Sequence, residues 1–229
     1  MMPEKFRNTY RIASHRKPGW DYSSDGMYFI TLVTEHRVCN LGEISVEQKI
    51  GDSQGRAYCQ LSEFGKIVDA EWHKSFEIRD ELLLDEYIIM PNHLHAIVMI
   101  NNRNRTTVDE NGADGGMVAM VVETHGRASL QPLRPPQHDH TFQRILPPFQ
   151  RLPKSISSFL AGFKSAVNSK IDDYIDQQNL NIPKYNRNNH FFQPNYYDHI
   201  IRNELSYYRI LDYIISNPAK WADDKFYSK

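Results

Sequence analysis

The stretch from Glu81 to Ile100, ELLLDEYIIMPNHLHAIVMI, constrains the fold more than any other part of the chain. Two apolar runs flank a proline and a pair of histidines one residue apart. The alternation of a β-strand puts His93 and His95 on one side of the backbone and Leu94 on the other. Pro91 cannot donate to a ladder and holds Met90 in extended geometry, so pairing is interrupted just before the histidines. The continuous apolar character of LLLDEYIIM predicts a strand covered on both faces. Two neutral imidazoles side by side can hold one divalent metal. The same pattern also describes an ordinary hydrogen-bonded polar pair at a strand edge, and both readings stay open on these residues alone.

The 229 residues suit one domain, or one domain carrying an insertion, and 40% hydrophobic residues are enough for a buried core. No apolar run has the length of a membrane span, and MMPEKFRNTYRI lacks the apolar centre of a secretion signal, so a cytoplasmic protein is expected. Cys39 and Cys59 form no disulfide framework and match no compact zinc spacing. They are expected to be two small buried thiols. Lys and Arg number 27 against 28 Asp and Glu, a net charge of -1 that gives no general support to a nucleic-acid partner. Charge is uneven, however. The first twenty residues hold Lys5, Arg7, Arg11, Arg16 and Lys17 against Glu4, a basic arm suited either to phosphate or to solvent.

Periodicity places the remaining elements. MYFITLVT, Met27–Thr34, reads as a strand, and Arg37 to Cys59 as one or two short strands on an irregular excursion. Leu61–Lys74 carries Leu61, Phe64, Ile67, Val68 and Trp72 at helical spacing behind a possible Ser62 cap. From Asn101 to about Arg151 the sequence is polar, Gly-rich and then Pro-rich, which predicts a flexible insertion within a single domain of residues 1–229. His138 and His140 repeat the His-x-His spacing there and are assigned no metal role. Ile156, Leu160, Phe163, Val167 and Ile171 form one stripe of a second helix. FFQPNYYDHIIR is extended, and a last helix runs from about Asn203 or Glu204 to Ser216, ending at Asn217-Pro218. The order is compatible with an α+β fold in which one antiparallel sheet is covered by helices on one face.

In the last helix Tyr213 and Asn217 are four residues apart and share a face. By themselves they can be a core tyrosine and a C-terminal cap. Chemistry links them to the histidines. A tyrosine hydroxyl, with a reference pKa of about 10, is a poor nucleophile unless a divalent cation polarises the phosphodiester that it attacks. Two histidines leave room for a third protein donor, and an amide carbonyl one turn after the tyrosine would tie nucleophile to metal.

YIIMPNHLHAIV, followed by FKSAVNSKI, FFQPNYYDHIIRNE and YRILDYIISNP, closely resembles the IS200-like single-tyrosine transposases of the HUH superfamily. The branch associated with repetitive extragenic palindromes is the most similar. The resemblance covers approximately residues 20–100 and 151–220. It implies a ferredoxin-like sheet, His93 and His95 as metal ligands, Tyr213 as nucleophile, and Asn217 completing the metal site. It also implies Mg²⁺ or Mn²⁺ as cofactor, single-stranded DNA with hairpins as partner, and a homodimer. DNA contacts are expected from Arg11, Arg16, Lys17, Lys164 and Arg202. Tyr196 and Tyr197 are rival nucleophiles by proximity, stacking surfaces for unpaired bases, or core aromatics. The implied reaction is nicking and joining of DNA through a 5′-phosphotyrosine; the alternative is a non-catalytic hairpin-binding or regulatory protein derived from such an enzyme.

Overall fold

Pro91 and Asn92 form a two-residue turn, so the two apolar runs around them become a hairpin of adjacent strands with Met90 opposite His93. The computed structural model describes residues 17–47, 55–102 and 154–228, and the backbone of 5–6 and 9–10. Its strands are β1 (Lys5–Phe6), β2 (Thr9–Tyr10), β3 (Gly26–Val33), β4 (Gly42–Glu47), β5 (Arg56–Leu61), β6 (Leu82–Met90), β7 (His93–Ile100) and β8 (Tyr197–Ile201). Its helices are α1 (Glu63–Glu77), α2 (Ile156–Gln177) and α3 (Glu204–Ser216). The chain divides into one unit of residues 1–105 with 151–229 and a second of 106–150. The second unit, and with it His138 and His140, lies outside the described residues.

The central sheet is antiparallel, in the order β6-β7-β3-β8. In chain order its parts run β3-α1-β6-β7-α2-β8, the split β-α-β-β-α-β arrangement of ferredoxin-like folds. β1 pairs with β2, and β4 with β5, as separate two-stranded ladders. The fold is thus α+β, an antiparallel sheet with helices packed against it.

Strand alternation divides the core. Leu94, Ala96, Val98 and Ile100 of β7, with Tyr28, Ile30 and Leu32 of β3, face α1 and α2. From the helices come Val68, Trp72, Phe159, Phe163, Val167 and Ile171, all buried. Trp72 sits edge-on to Phe76 and Phe163, at centroid distances of 5.4 and 5.0 Å. The opposite face, with Ile97, Ile201, Met27 and Phe29, packs on Ile214, Ile210 and Leu211 of α3. Helices therefore lie on both faces, where a single covered face was expected. The apolar stripe of α3 needs a cover, and α1 with α2 already fills the other side.

Two other expectations change. β6 is an edge strand with half-exposed central residues, and β7 is the strand buried on both faces. The apolar ends of β6 misled because a bulge between Leu84 and Tyr87 turns its middle toward solvent. Cys39, just before β4, is exposed, and Cys59, within β5 opposite Ile44, is half-buried, since the β4–β5 hairpin forms a ladder separate from the main sheet.

Ser62 caps α1 by accepting from the Gly65 N–H at 3.0 Å. Gly65 is buried, and a Cβ there would clash with the Leu41 carbonyl oxygen, which accepts from the Ser62 N–H. Gly→Ala inside a helix ordinarily gains about 1 kcal/mol. Here Gly65→Ala is expected to destabilise by about 1–3 kcal/mol, the range for overpacking, read as a lower urea midpoint.

Candidate metal centre and nucleophile

The hairpin register fixes the histidines. His93 lies opposite Met90 and Val33, and His95 opposite Ile88 and Thr31, so both rings project from the α3 side of the sheet. Their centroids are 4.4 Å apart and both side chains are fully buried. Each ring is held from behind. Thr31 Oγ1 is 2.8 Å from His95 Nδ1, and Asn92 Oδ1 is 2.9 Å from His93 Nδ1. The Nε2 atoms are thereby turned toward the end of α3.

α3 runs across this face and delivers Tyr213 and Asn217 from successive turns, as their spacing predicts. Tyr213 Oη is 3.1 Å from His95 Nε2. Beyond Asn217-Pro218 a 3₁₀ turn, Pro218–Asp223, folds the chain back over the site. That return brings in Asp224, whose Oδ2 accepts from Tyr213 Oη at 3.0 Å and from Asn217 Nδ2 at 3.1 Å. Phe226 then covers the histidines, with centroids 4.9 Å from His93 and 6.0 Å from His95. Asp224 was not legible from spacing. It sits in a tail of polar appearance, ADDKFYSK, and reaches the site only because the chain reverses after Pro218. The hint in that tail is its pair of aromatic residues, Phe226 and Tyr227.

Among the described residues, His93, His95 and Asp224 form a group whose donor atoms all lie within 4.8 Å of one another. The buried Nε2 of His93 and Oδ1 of Asn217 have no hydrogen-bond partner. Stranded lone pairs of this kind are costly unless something positive sits between them. Imidazole, carboxylate and amide oxygen suit a divalent cation, and the residues present fit one.

Burial pushes the His93 pKa down to about 4, partly opposed by the Asp224 carboxylate, and pushes His95 well below the ordinary imidazole value with help from His93. Both rings are therefore neutral at pH 7, the form that binds metal. Tyr213 moves the other way: burial first, then the negative charge of Asp224, raise it above the ordinary phenol range. The hydroxyl is therefore held in its protonated form at neutral pH.

These shifts predict a pH dependence. Between pH 4 and 6.5 the unfolded chain protonates His93 and the folded chain does not. Stability of the metal-free protein is therefore fully present above about pH 6.5 and falls with acidification, at about 1.4 kcal/mol per pH unit for each such proton. A urea midpoint that stays constant from pH 6.5 to 4.5 would contradict a buried neutral pair.

The remaining candidates sit farther out. Lys164 Nζ donates to the backbone oxygens of Gln193, Pro194 and Asn195, so it ties α2 to the segment before β8. Tyr196 Oη lies 3.1 Å from Ser157 Oγ and packs against the α1–α2 core. Tyr197 is on the histidine face, partly exposed, with its ring 5.8 Å from Phe226. Lys17 and Arg202 both approach the Trp20 ring, at 5.2 and 5.7 Å, and line a cavity of about 380 Å³ with Asp198, His199 and Ser206. Arg11 and Arg16 lie outside the described residues.

No family model matches the chain. A protein of Haemophilus influenzae with no characterised function is 28% identical over 217 residues, which cover 93% of this chain and 92% of that one. A solved structure of a REP-associated tyrosine transposase bound to a REP hairpin is similar with a TM-score of 0.43 at 15% identity, covering 93% of this chain and 77% of that chain. No helix among the described residues is long and apolar enough to cross a membrane.

Proposed function

We propose that this protein is a metal-dependent single-stranded DNA nickase and strand transferase of the IS200-like single-tyrosine type, with Tyr213 as nucleophile. One observation carries the reading: the Tyr213 hydroxyl stands 3.1 Å from a buried neutral histidine and 3.0 Å from a carboxylate, at the edge of a cluster suited to a divalent metal. The ordered motifs YIIMPNHLHAIV and YRILDYIISNP support the same reading by resemblance.

Mg²⁺ or Mn²⁺ held by His93, His95 and Asp224, with the Asn217 carbonyl beside them, would neutralise and polarise a phosphodiester oxygen. Asp224 Oδ2 is placed to accept the Tyr213 proton, and Asn217 Nδ2 orients that carboxylate. Attack forms the Tyr213 Oη–phosphorus bond and breaks the bond from phosphorus to the 3′ oxygen, which takes up a proton and leaves as a free hydroxyl. The phosphotyrosine conserves the phosphodiester energy, so rejoining to another 3′-hydroxyl needs no ATP. Phe226 lies against both histidine rings at one side of the site.

Substrate is single-stranded DNA carrying hairpins, with Lys17 and Arg202 on the backbone and Tyr197 offered to an unpaired base. The test is incubation with labelled single-stranded hairpin oligonucleotides and Mg²⁺ or Mn²⁺, followed by a denaturing gel. A protein–DNA band that requires metal is expected. Tight hairpin binding without any such band would favour the non-catalytic regulatory alternative.

A further inference from the structure

We propose that Asn92 is a positioning residue that selects the ring tautomer of His93 and clamps the C-terminal segment carrying Asp224, so that metal affinity depends on it. The proposal rests on the metal-site reading above and adds the residue that makes two distant parts of the chain one site.

Asn92 is fully buried in the β6–β7 turn. Its Nδ2 lies 3.1 Å from the Arg37 carbonyl oxygen, 2.8 Å from the Phe226 carbonyl oxygen and 3.1 Å from Ser228 Oγ. Two of these partners are carbonyls and can only accept, so the atom facing them must be the amide nitrogen. The amide oxygen then faces His93 Nδ1 at 2.9 Å, and Nδ1 must carry the hydrogen. Nε2 is left with its lone pair, buried without a partner beside His95 and Asp224. The backbone carbonyls of a loop and a tail thus dictate which nitrogen of a metal ligand is free.

The clamp is built at some conformational expense. His36 and Arg37 are consecutive left-handed residues, with φ of 54° and 58°, and neither is glycine. That turn delivers the Arg37 carbonyl oxygen, which accepts from both Asn92 Nδ2 and Ser228 Oγ, the latter at 2.8 Å. Arg37 also donates to the Lys225 carbonyl oxygen at 3.1 Å, and its guanidinium lies 5.7 Å from the Phe226 ring. Residues 225–228 are therefore fastened immediately after Asp224, and the Asn92 backbone oxygen is itself held by Thr34 N and Oγ1. Groups that orient a metal-ligating histidine usually change metal affinity by about 10–100-fold when removed.

Two measurements on the intact chain test this. Long-range proton–nitrogen NMR of the metal-free wild type should show His93 protonated at Nδ1; protonation at Nε2 would overturn the proposal without any variant. Asn92→Leu, which offers His93 Nδ1 no acceptor, should lose that tautomer preference. Calorimetric titration with Mn²⁺ should show about 10–100-fold weaker binding in Asn92→Leu, with folding checked by thermal melting. Asn92→Leu binding Mn²⁺ within about twofold of wild type, while His93→Ala does not bind, would overturn the role of Asn92 and leave the metal site standing. A folded wild type that binds no Mn²⁺ would instead overturn the metal site, and the positioning role with it.

Discussion

Tyr213→Phe is expected to abolish covalent capture of DNA, because the variant has no attacking oxygen. Fold and DNA binding should survive. The ring keeps its edge contact with Phe29, at 6.1 Å, and its packing on His95, at 5.0 Å. What is lost is one hydrogen bond to Asp224 and one contact to His95, and Asp224 Oδ2 still accepts from Asn217. A net hydrogen bond is worth about 1 kcal/mol, so the melting temperature should drop only slightly. The decisive comparison is adduct yield against hairpin affinity on the same preparation. Loss of adduct with unchanged affinity is the predicted pattern, whereas an undiminished adduct would remove Tyr213 from the chemistry and return attention to Tyr197.

His95→Ala is expected to remove metal-dependent stabilisation. With free metal at about one hundred times its dissociation constant, the wild type should gain about 2.7 kcal/mol of stability. The variant should gain none, because one of three clustered donors has gone and the cavity opens toward Phe29 and Tyr213. It should also be less stable without metal, since Thr31 Oγ1 loses its buried partner, a cost of about 1–3 kcal/mol. Thermal melts with and without Mn²⁺ separate the two effects. Equal metal-induced shifts in both proteins would place the binding site elsewhere.

Much of the sheet was legible because its signals are local. The alternation through HLHAIVMI placed His93 and His95 on one face, and the stripe Ile156–Leu160–Phe163–Val167–Ile171 identified α2 and its buried side. The limits of α3 and the Ser62 cap were also written in nearby residues. Expectations failed where the outcome depended on what lies across space. LLLDEYIIM has the apolar ends of a central strand, yet its place at the edge is set by which strands pair. The pairing of Tyr213 with Asn217 follows from helical period, but Asp224 joins them through a chain reversal that no periodicity describes. Asn92 was visible only as part of a turn. Its role appears when residues 37, 226 and 228 are seen to converge on one amide.

Covalent capture of DNA is expected to leave a phosphotyrosine at Tyr213. The most direct measurement is to digest the metal-dependent protein–DNA adduct with protease and nuclease and locate the modified residue by mass spectrometry. A nucleotide joined through phosphate to Tyr213, in the peptide spanning YRILDYIISNP, is the predicted result. Attachment at any other residue, or an adduct that forms equally well without a divalent metal, would exclude Tyr213 as a metal-activated nucleophile.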